Sequence, residues 1–210
     1  MFLAHPPTTH RAVGRGAVTI FMGASSEDRS AHVENNNVRS PALSDRLRGT
    51  ISTARSGLRL PPRNIRETRD LQRLRLSDGG TVWLSWWWAP GYSSSPPATV
   101  LFCPGLNNSS HLAFVQHAVA SLQQRNFTVA VLDYRAVGGS LTSTRLFGAD
   151  SWRDLSEVVE AVRERNPRSL LLGLGHSMGG SCLVKFASEL GKGCPLCAVA
   201  TVSSPFALSA

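Results

Sequence analysis

No segment of this chain approaches the ~20 consecutive apolar residues that a membrane-spanning helix needs, so no transmembrane span is expected. The apolar stretch Gly16 to Ala24 is short and carries Thr19, which argues against a secretory signal. Cysteine is scarce as well. Cys103 and Cys182 fall within apolar-periodic stretches, and Cys194 and Cys197 form a single CxxC with no second pair and no downstream histidine. That spacing excludes a zinc-finger framework and a disulfide scaffold, and it favours reduced thiols in an intracellular compartment. Neither a metal nor a cofactor is expected. Acids are missing from residues 1–26, which hold Arg11 and Arg15, a composition compatible with an organellar transit peptide. One further absence bears on chemistry: no His and no Asp follows Ser177 in the 210 residues.

Positive charge is in excess, with 22 Lys and Arg against 14 Asp and Glu. Its distribution argues against nucleic acid as a partner. Residues 1–78 hold 13 Arg and 7 acids, a net of +6, whereas residues 79–210 carry a net of +2. The excess therefore sits at the N-terminal end, with no aromatic-basic RNA motif beside it. Residues 1–65 show no sustained period and are rich in Arg, Ser, Asn and Pro, so a disordered or loosely attached basic extension is expected there. The folded part is expected over residues 66–210.

Within that part, Leu71, Leu74 and Leu76 precede the turn signal Asp78-Gly79-Gly80, and Thr81 to Trp88 follows, which predicts a hairpin. The run Trp86-Trp87-Trp88 reads as core packing on a strand rather than a ligand site. Short apolar runs at 99–103, 127–132, 169–174 and 197–202 predict four buried strands. Between them lie three stripes at helical spacing: Val115, Ala118, Val119, Leu122; Leu155, Val158, Val159, Val162; and Leu183, Phe186, Ala187, Leu190. Ser110 is expected to cap the first helix and Asp150 or Ser151 the second, with Gly191 ending the third. Such alternation implies an α/β architecture, a mainly parallel sheet with helices on both faces. Ligand sites in these sheets lie beyond the carboxyl ends of the strands.

Gly175-His176-Ser177-Met178-Gly179 stands at one of those ends, after the apolar run Leu170 to Leu174 and before a helical stripe. A serine between two glycines at a strand-to-helix turn reads as a nucleophile elbow, in which a tight turn lifts the hydroxyl above the sheet edge. Acyl transfer also needs two backbone N–H donors aimed at the developing oxyanion. The N–H of Met178, at the start of the helix, is the first candidate. Pro104-Gly105-Leu106 leaves an earlier strand and turns toward a helix, so Leu106 is expected to supply the second. His176 is rejected as the base because, next to Ser177 in a tight turn, its ring should point away from the hydroxyl. His111 could approach the mouth of the site, but a structural role is expected for it, and His117 reads as a surface or boundary helix position.

From Leu101 to Phe206 the sequence resembles α/β-hydrolases of the esterase and lipase group that includes the plant embryogenesis-associated and bacterial YheT-type hydrolases. The resemblance rests on Cys103-Pro104-Gly105-Leu106, Ser110-His111, Tyr134-Arg135 with Gly138-Gly139-Ser140, Gly175 to Gly180, Cys194-Pro195-Leu196 and Ser203 to Phe206. Ala136 departs from it, since the family usually carries glycine after that arginine. The resemblance implies a serine hydrolase of carboxylic esters with lipid-like or medium-chain acyl groups. It implies a small-molecule ester or lipid as partner, with room for peripheral membrane contact, and a chain order of Ser, Asp, His. With no later Asp or His, the 210 residues are expected to be the N-terminal part of a hydrolase fold, ending after the strand that follows the nucleophile helix. The 197–202 strand would then be an apolar edge open to further pairing.

A different class competes with this reading. A pseudo-hydrolase that keeps the pocket but binds without catalysis would also lack the acid and the base. A nucleotide-binding turn at Gly173-x-Gly175 is disfavoured, because the spacing is wrong and the next strand ends in Ser203-Ser204 rather than an acid.

Overall fold

The computed structural model describes residues 18–22, 69–89 and 97–205. Among the described residues, seven strands and three α-helices follow in the order β1 (Val18–Met22), β2 (Arg69–Arg75), β3 (Thr81–Trp87), β4 (Thr99–Cys103), α1 (Ala113–Gln123), β5 (Thr128–Asp133), α2 (Leu155–Arg165), β6 (Leu171–His176), α3 (Met178–Leu190) and β7 (Ala198–Val202). They build one sheet in the order β1-β7-β6-β4-β5-β3-β2. The four central strands β7, β6, β4 and β5 run parallel, so their carboxyl ends share one edge.

The expected hairpin is β2 and β3, paired from Arg69↔Trp87 to Arg75↔Thr81. Its turn closes by the Gly79 N–H on the Leu76 carbonyl at 2.9 Å, with Gly79 at φ +82°, and the Gly80 N–H donates to Asp78 Oδ1. Trp86 and Trp87 are fully buried and Trp88 stacks on Trp86 at 5.1 Å, as strand-core packing requires.

Each helix turns its apolar stripe onto the sheet. Val115 and Val119 of α1 pack with Trp87, Phe102, Val129 and Val131 on one face. Leu155, Val158 and Val162 of α2 join Leu183 and Phe186 of α3 against Leu84, Leu101 and Leu132 on the other. Period-2 alternation along the strands sends their side chains to the two cores in turn.

Three expectations change. Ser110 does not cap α1, which begins at Ala113 after an extended Leu112; its hydroxyl is committed to Asp133 instead. A 3₁₀ turn at Ser151–Asp154 leads into α2 with no side-chain cap, and Ser151 Oγ accepts the Gly148 N–H. The β7 edge is covered rather than open, because β1 pairs antiparallel with it from Val18↔Val202 to Met22↔Ala198. Apart from Val18–Met22, the extension expected over 1–65 lies outside the described residues, as does Phe206.

Candidate active site

Ser177 sits between β6 and α3 at φ +52° and ψ −128°, a backbone region that residues with a Cβ rarely adopt. Three glycines make this turn fit. A Cβ on Gly175 would stand 2.2 Å from Gly180 Cα, and one on Gly179 would stand 2.2 Å from the carbonyl oxygens of Cys103 and Pro104. One on Gly180 would meet Ser204 Oγ at 1.9 Å. Helix α3 can thus start directly against β6, β4 and the loop after β7, which holds the serine at the edge where the parallel strands end.

Ser177 is half-buried and its side chain does not cap α3, which leaves the hydroxyl available. Its main-chain N–H donates to the Val202 carbonyl at 3.0 Å, and its carbonyl accepts from Gly180. Met178 is the first residue of α3, and a first-turn N–H has no partner within its own helix.

The loop from Pro104 to Leu112 lies directly against the elbow. A Cβ on Gly105 would stand 3.0 Å from Ser177 Cβ and 3.5 Å from His176 Nδ1. The loop folds back by a turn in which the Asn108 N–H donates to the Gly105 carbonyl at 3.1 Å, with Asn107 at φ +55°. That turn does not use the Leu106 N–H, while the Leu106 side chain is 60% exposed. The structure therefore brings the segments of Leu106, Ser177 and Met178 together.

The histidines are placed differently. The His176 ring packs on Phe114 of α1 at 5.2 Å, and burial lowers its pKa by penalising the cation. Its Nδ1 is buried without a hydrogen-bond partner. His111 is exposed on the loop before α1, and His117 is half-buried within the helix. Among the described residues, no hydrogen bond joins Ser177 to a histidine or a carboxylate.

Two polar clusters near this edge escaped the sequence reading. In the first, Asp133, at the end of an otherwise uncharged strand and 2% exposed, accepts from the N–H and the hydroxyl of Ser110 at 2.5 and 2.6 Å. In the second, Arg135 is buried and grips Asp154 through Nε and Nη2 at 2.6 and 2.9 Å. It also bonds Asp78 at 2.9 Å and Ser143 at 2.8 Å. These partners hold the guanidinium firmly cationic, and the Arg135 bond holds the Asp78 carboxyl below its usual range. The available signal was a carboxylate and an arginine flanking Tyr134 at a strand end, since buried charge must be paired.

Gly138 packs on Trp83, where a Cβ would come within 2.4 Å of the indole. Ala136 adopts φ +62°, the conformation that glycine takes without strain. All four cysteines are free thiols. Among the described residues no group of three His, Cys, Asp or Glu could hold a metal, and no helix is long and apolar enough to cross a membrane. A cavity of about 500 Å³ bordered by Val159, Arg163, Phe186 and Leu190 lies between α2 and α3, apart from Ser177.

The pattern of the family described as Serine aminopeptidase, S33 matches residues 94–209. The chain is 29% identical over 144 residues to Embryogenesis-associated protein EMB8 of Picea glauca, covering 64% of this chain and 31% of that protein. It is 30% identical over 135 residues to Phospholipase ABHD3 of Mus musculus, covering 62% and 33%. It is 28% identical over 153 residues to the putative esterase YheT of Escherichia coli (strain K12), covering 72% and 45%. The match spans less than half the length of each of these relatives. Among solved structures, a soluble variant of monoglyceride lipase from Saccharomyces cerevisiae superposes with a TM-score of 0.51 at 20% identity, covering 65% of this chain and 45% of that one. That likeness extends to the fold.

Proposed function

The chain belongs to the serine aminopeptidase S33 family of α/β-hydrolases, and on that premise we propose that Ser177 is the nucleophile of a carboxylic-ester hydrolase acting on lipid-like or medium-chain acyl esters. The observation that carries this is the close approach of the Gly105 loop to the strained serine at the start of α3.

The chemistry follows. Ser177 Oγ attacks the acyl carbonyl carbon, and the carbonyl oxygen takes up negative charge. The N–H groups of Leu106 and Met178 donate to that oxygen. Each such donor lowers the barrier by ~3 kcal/mol, because its dipole is fixed before the charge develops. Collapse breaks the ester C–O bond, and the leaving oxygen takes up the equivalent of the proton that Ser177 gives up and departs as the alcohol, leaving an acyl-serine for water to cleave. Leu106 and Leu112, both exposed on the Gly105 loop, add apolar surface suited to an acyl chain. The relatives named as a phospholipase and an esterase support that substrate class.

The proton of Ser177 also needs an acceptor, and none is hydrogen-bonded to it among the described residues. Turnover by these 210 residues alone is therefore expected to be slow, resting on the roughly 10³-fold that oxyanion donors and binding supply without a complete triad.

Prolonged incubation with a fluorophosphonate, followed by peptide mass spectrometry, tests the assignment. The adduct is expected on Ser177 and is lost in Ser177→Ala. Adducts spread evenly over exposed serines such as Ser121 would refute it. Tight retention of an ester analogue without any adduct would instead favour the non-catalytic binding module.

A further inference from the structure

The hydroxyl of Ser110 is not a helix cap, and what it does instead bears on the loop that carries Leu106. Asp133 Oδ1 accepts the Ser110 N–H at 2.5 Å and Oδ2 accepts its hydroxyl at 2.6 Å. Ser85 Oγ donates to Ser110 Oγ at 3.0 Å and lies 3.5 Å from Oδ2. Asp133, Ser110 and Ser85 are all buried. No cation pairs with Asp133 among the described residues; its partners there are the hydrogen-bonding groups of Ser110 and Ser85.

A buried carboxylate is a costly way to hold a loop that apolar packing could hold, unless its geometry matters. Both oxygens here converge on one residue, which fixes the position and the orientation of the Ser110 backbone together. At its other end the loop is fixed by contact of the Cys103 and Pro104 carbonyls with Gly179. Only Gly105 to Ser109 lie between the two anchors, and Leu106 is among them.

We infer that Asp133 is a positioning residue for the oxyanion loop: by clamping Ser110 it sets the direction of the Leu106 N–H toward the place beside Ser177 where the substrate's oxyanion develops. This rests on the hydrolase reading above. Asp133 touches no reacting atom. Its effect passes through the loop, so it should act on bond formation and hardly on the binding of an apolar probe.

The test measures fluorophosphonate labelling of Ser177 across probe concentrations in the full chain, separating the maximal rate from the half-saturating concentration. Asp133→Ala should lower the maximal rate by about tenfold or more, the scale of a misaimed oxyanion donor, and leave half-saturation within about twofold. Asp133→Asn has the same shape and keeps one oxygen for the Ser110 N–H, so it should recover most of that rate. Ser110→Ala keeps the Ser110 N–H on Asp133 but removes the hydroxyl's bonds to Asp133 and Ser85, and should lose roughly two- to fivefold, so the inference stays testable should Asp133→Ala fail to fold. Amide exchange in residues 104–112 should rise with each loss of rate. Wild-type rates in Asp133→Ala or Ser110→Ala would overturn the inference while leaving the nucleophile assignment intact. So would an Asp133→Asn variant as slow as the alanine. A wild-type chain that never labels at Ser177 would remove the hydrolase reading, and the inference with it.

Discussion

Gly105 and Ser177, 72 positions apart in sequence, come so close that a Cβ added to the glycine would stand 3.0 Å from the serine Cβ. Asn108 Nδ2 crowds the same point at 3.1 Å. Gly105→Ala therefore asks the loop to retreat by a few tenths of an ångström. We expect a stability loss of only ~1 kcal/mol in urea unfolding, the low end for overpacking. Ser177 phosphonylation should fall about tenfold, because the Leu106 N–H moves with the loop.

Gly179 has less latitude, since the atoms it faces are main-chain oxygens of Cys103 and Pro104 at 2.2 Å from a would-be Cβ. Gly179→Ala must push α3 off β4. A loss of about 3 kcal/mol is expected, the upper end of overpacking costs, and a thermal melt would read it as a clear drop in Tm. An unchanged Tm would mean that α3 does not start where described.

These contacts show why the elbow could be read from sequence. Glycine at 175 and 179 flags close backbone approach whatever lies opposite, so Gly-His-Ser-Met-Gly between an apolar strand and a helical stripe predicted the tight turn, though not the Cys103, Pro104 and Ser204 atoms packed against it. Ser110 was opaque for the converse reason. A serine just before a helix reads as a cap, and its real partner, Asp133, is 23 residues away and shows itself only once β5 is in place. The pairing of Val18–Met22 with β7 was hidden in the same way, because five residues carry too little period to reveal a partner strand about 180 residues downstream.

Arg135 and Asp154 form a buried, two-point ion pair, at 3% and 5% exposure. Asp154→Ala would leave the guanidinium with only Asp78 and Ser143. A cost of about 3–5 kcal/mol is expected in urea unfolding, as for other broken buried pairs. The double variant Arg135→Met with Asp154→Leu should cost less than Asp154→Ala, because it leaves no uncompensated charge. Equal or additive losses would contradict this.

Ala136 pays for its left-handed backbone. Ala136→Gly should be neutral or stabilise by up to ~1 kcal/mol, relief of the Cβ clash offsetting the added freedom of the unfolded chain. Ala136→Val should destabilise by about 1–2 kcal/mol, because a β-branched side chain resists positive φ more strongly. Thermal melts of the pair would show the ordering.

Burial lowers the pKa of His176 in the folded chain. The unfolded state then binds more protons between that lowered value and the usual ~6.5, so stability rises with pH across this window and falls on acidification. His176→Gln should flatten the slope of unfolding free energy just below about pH 6.5, the unfolded-state value, relative to wild type. A slope unchanged by the substitution would show that His176 is not the group responsible.

The crystal structure of the phosphonylated chain tests the account most directly. The phosphorus should be bonded to Ser177 Oγ, with its non-bridging oxygen about 2.7–3.1 Å from the main-chain nitrogens of Leu106 and Met178. An adduct on another serine, or an oxygen that faces solvent with those two nitrogens turned away, would contradict it.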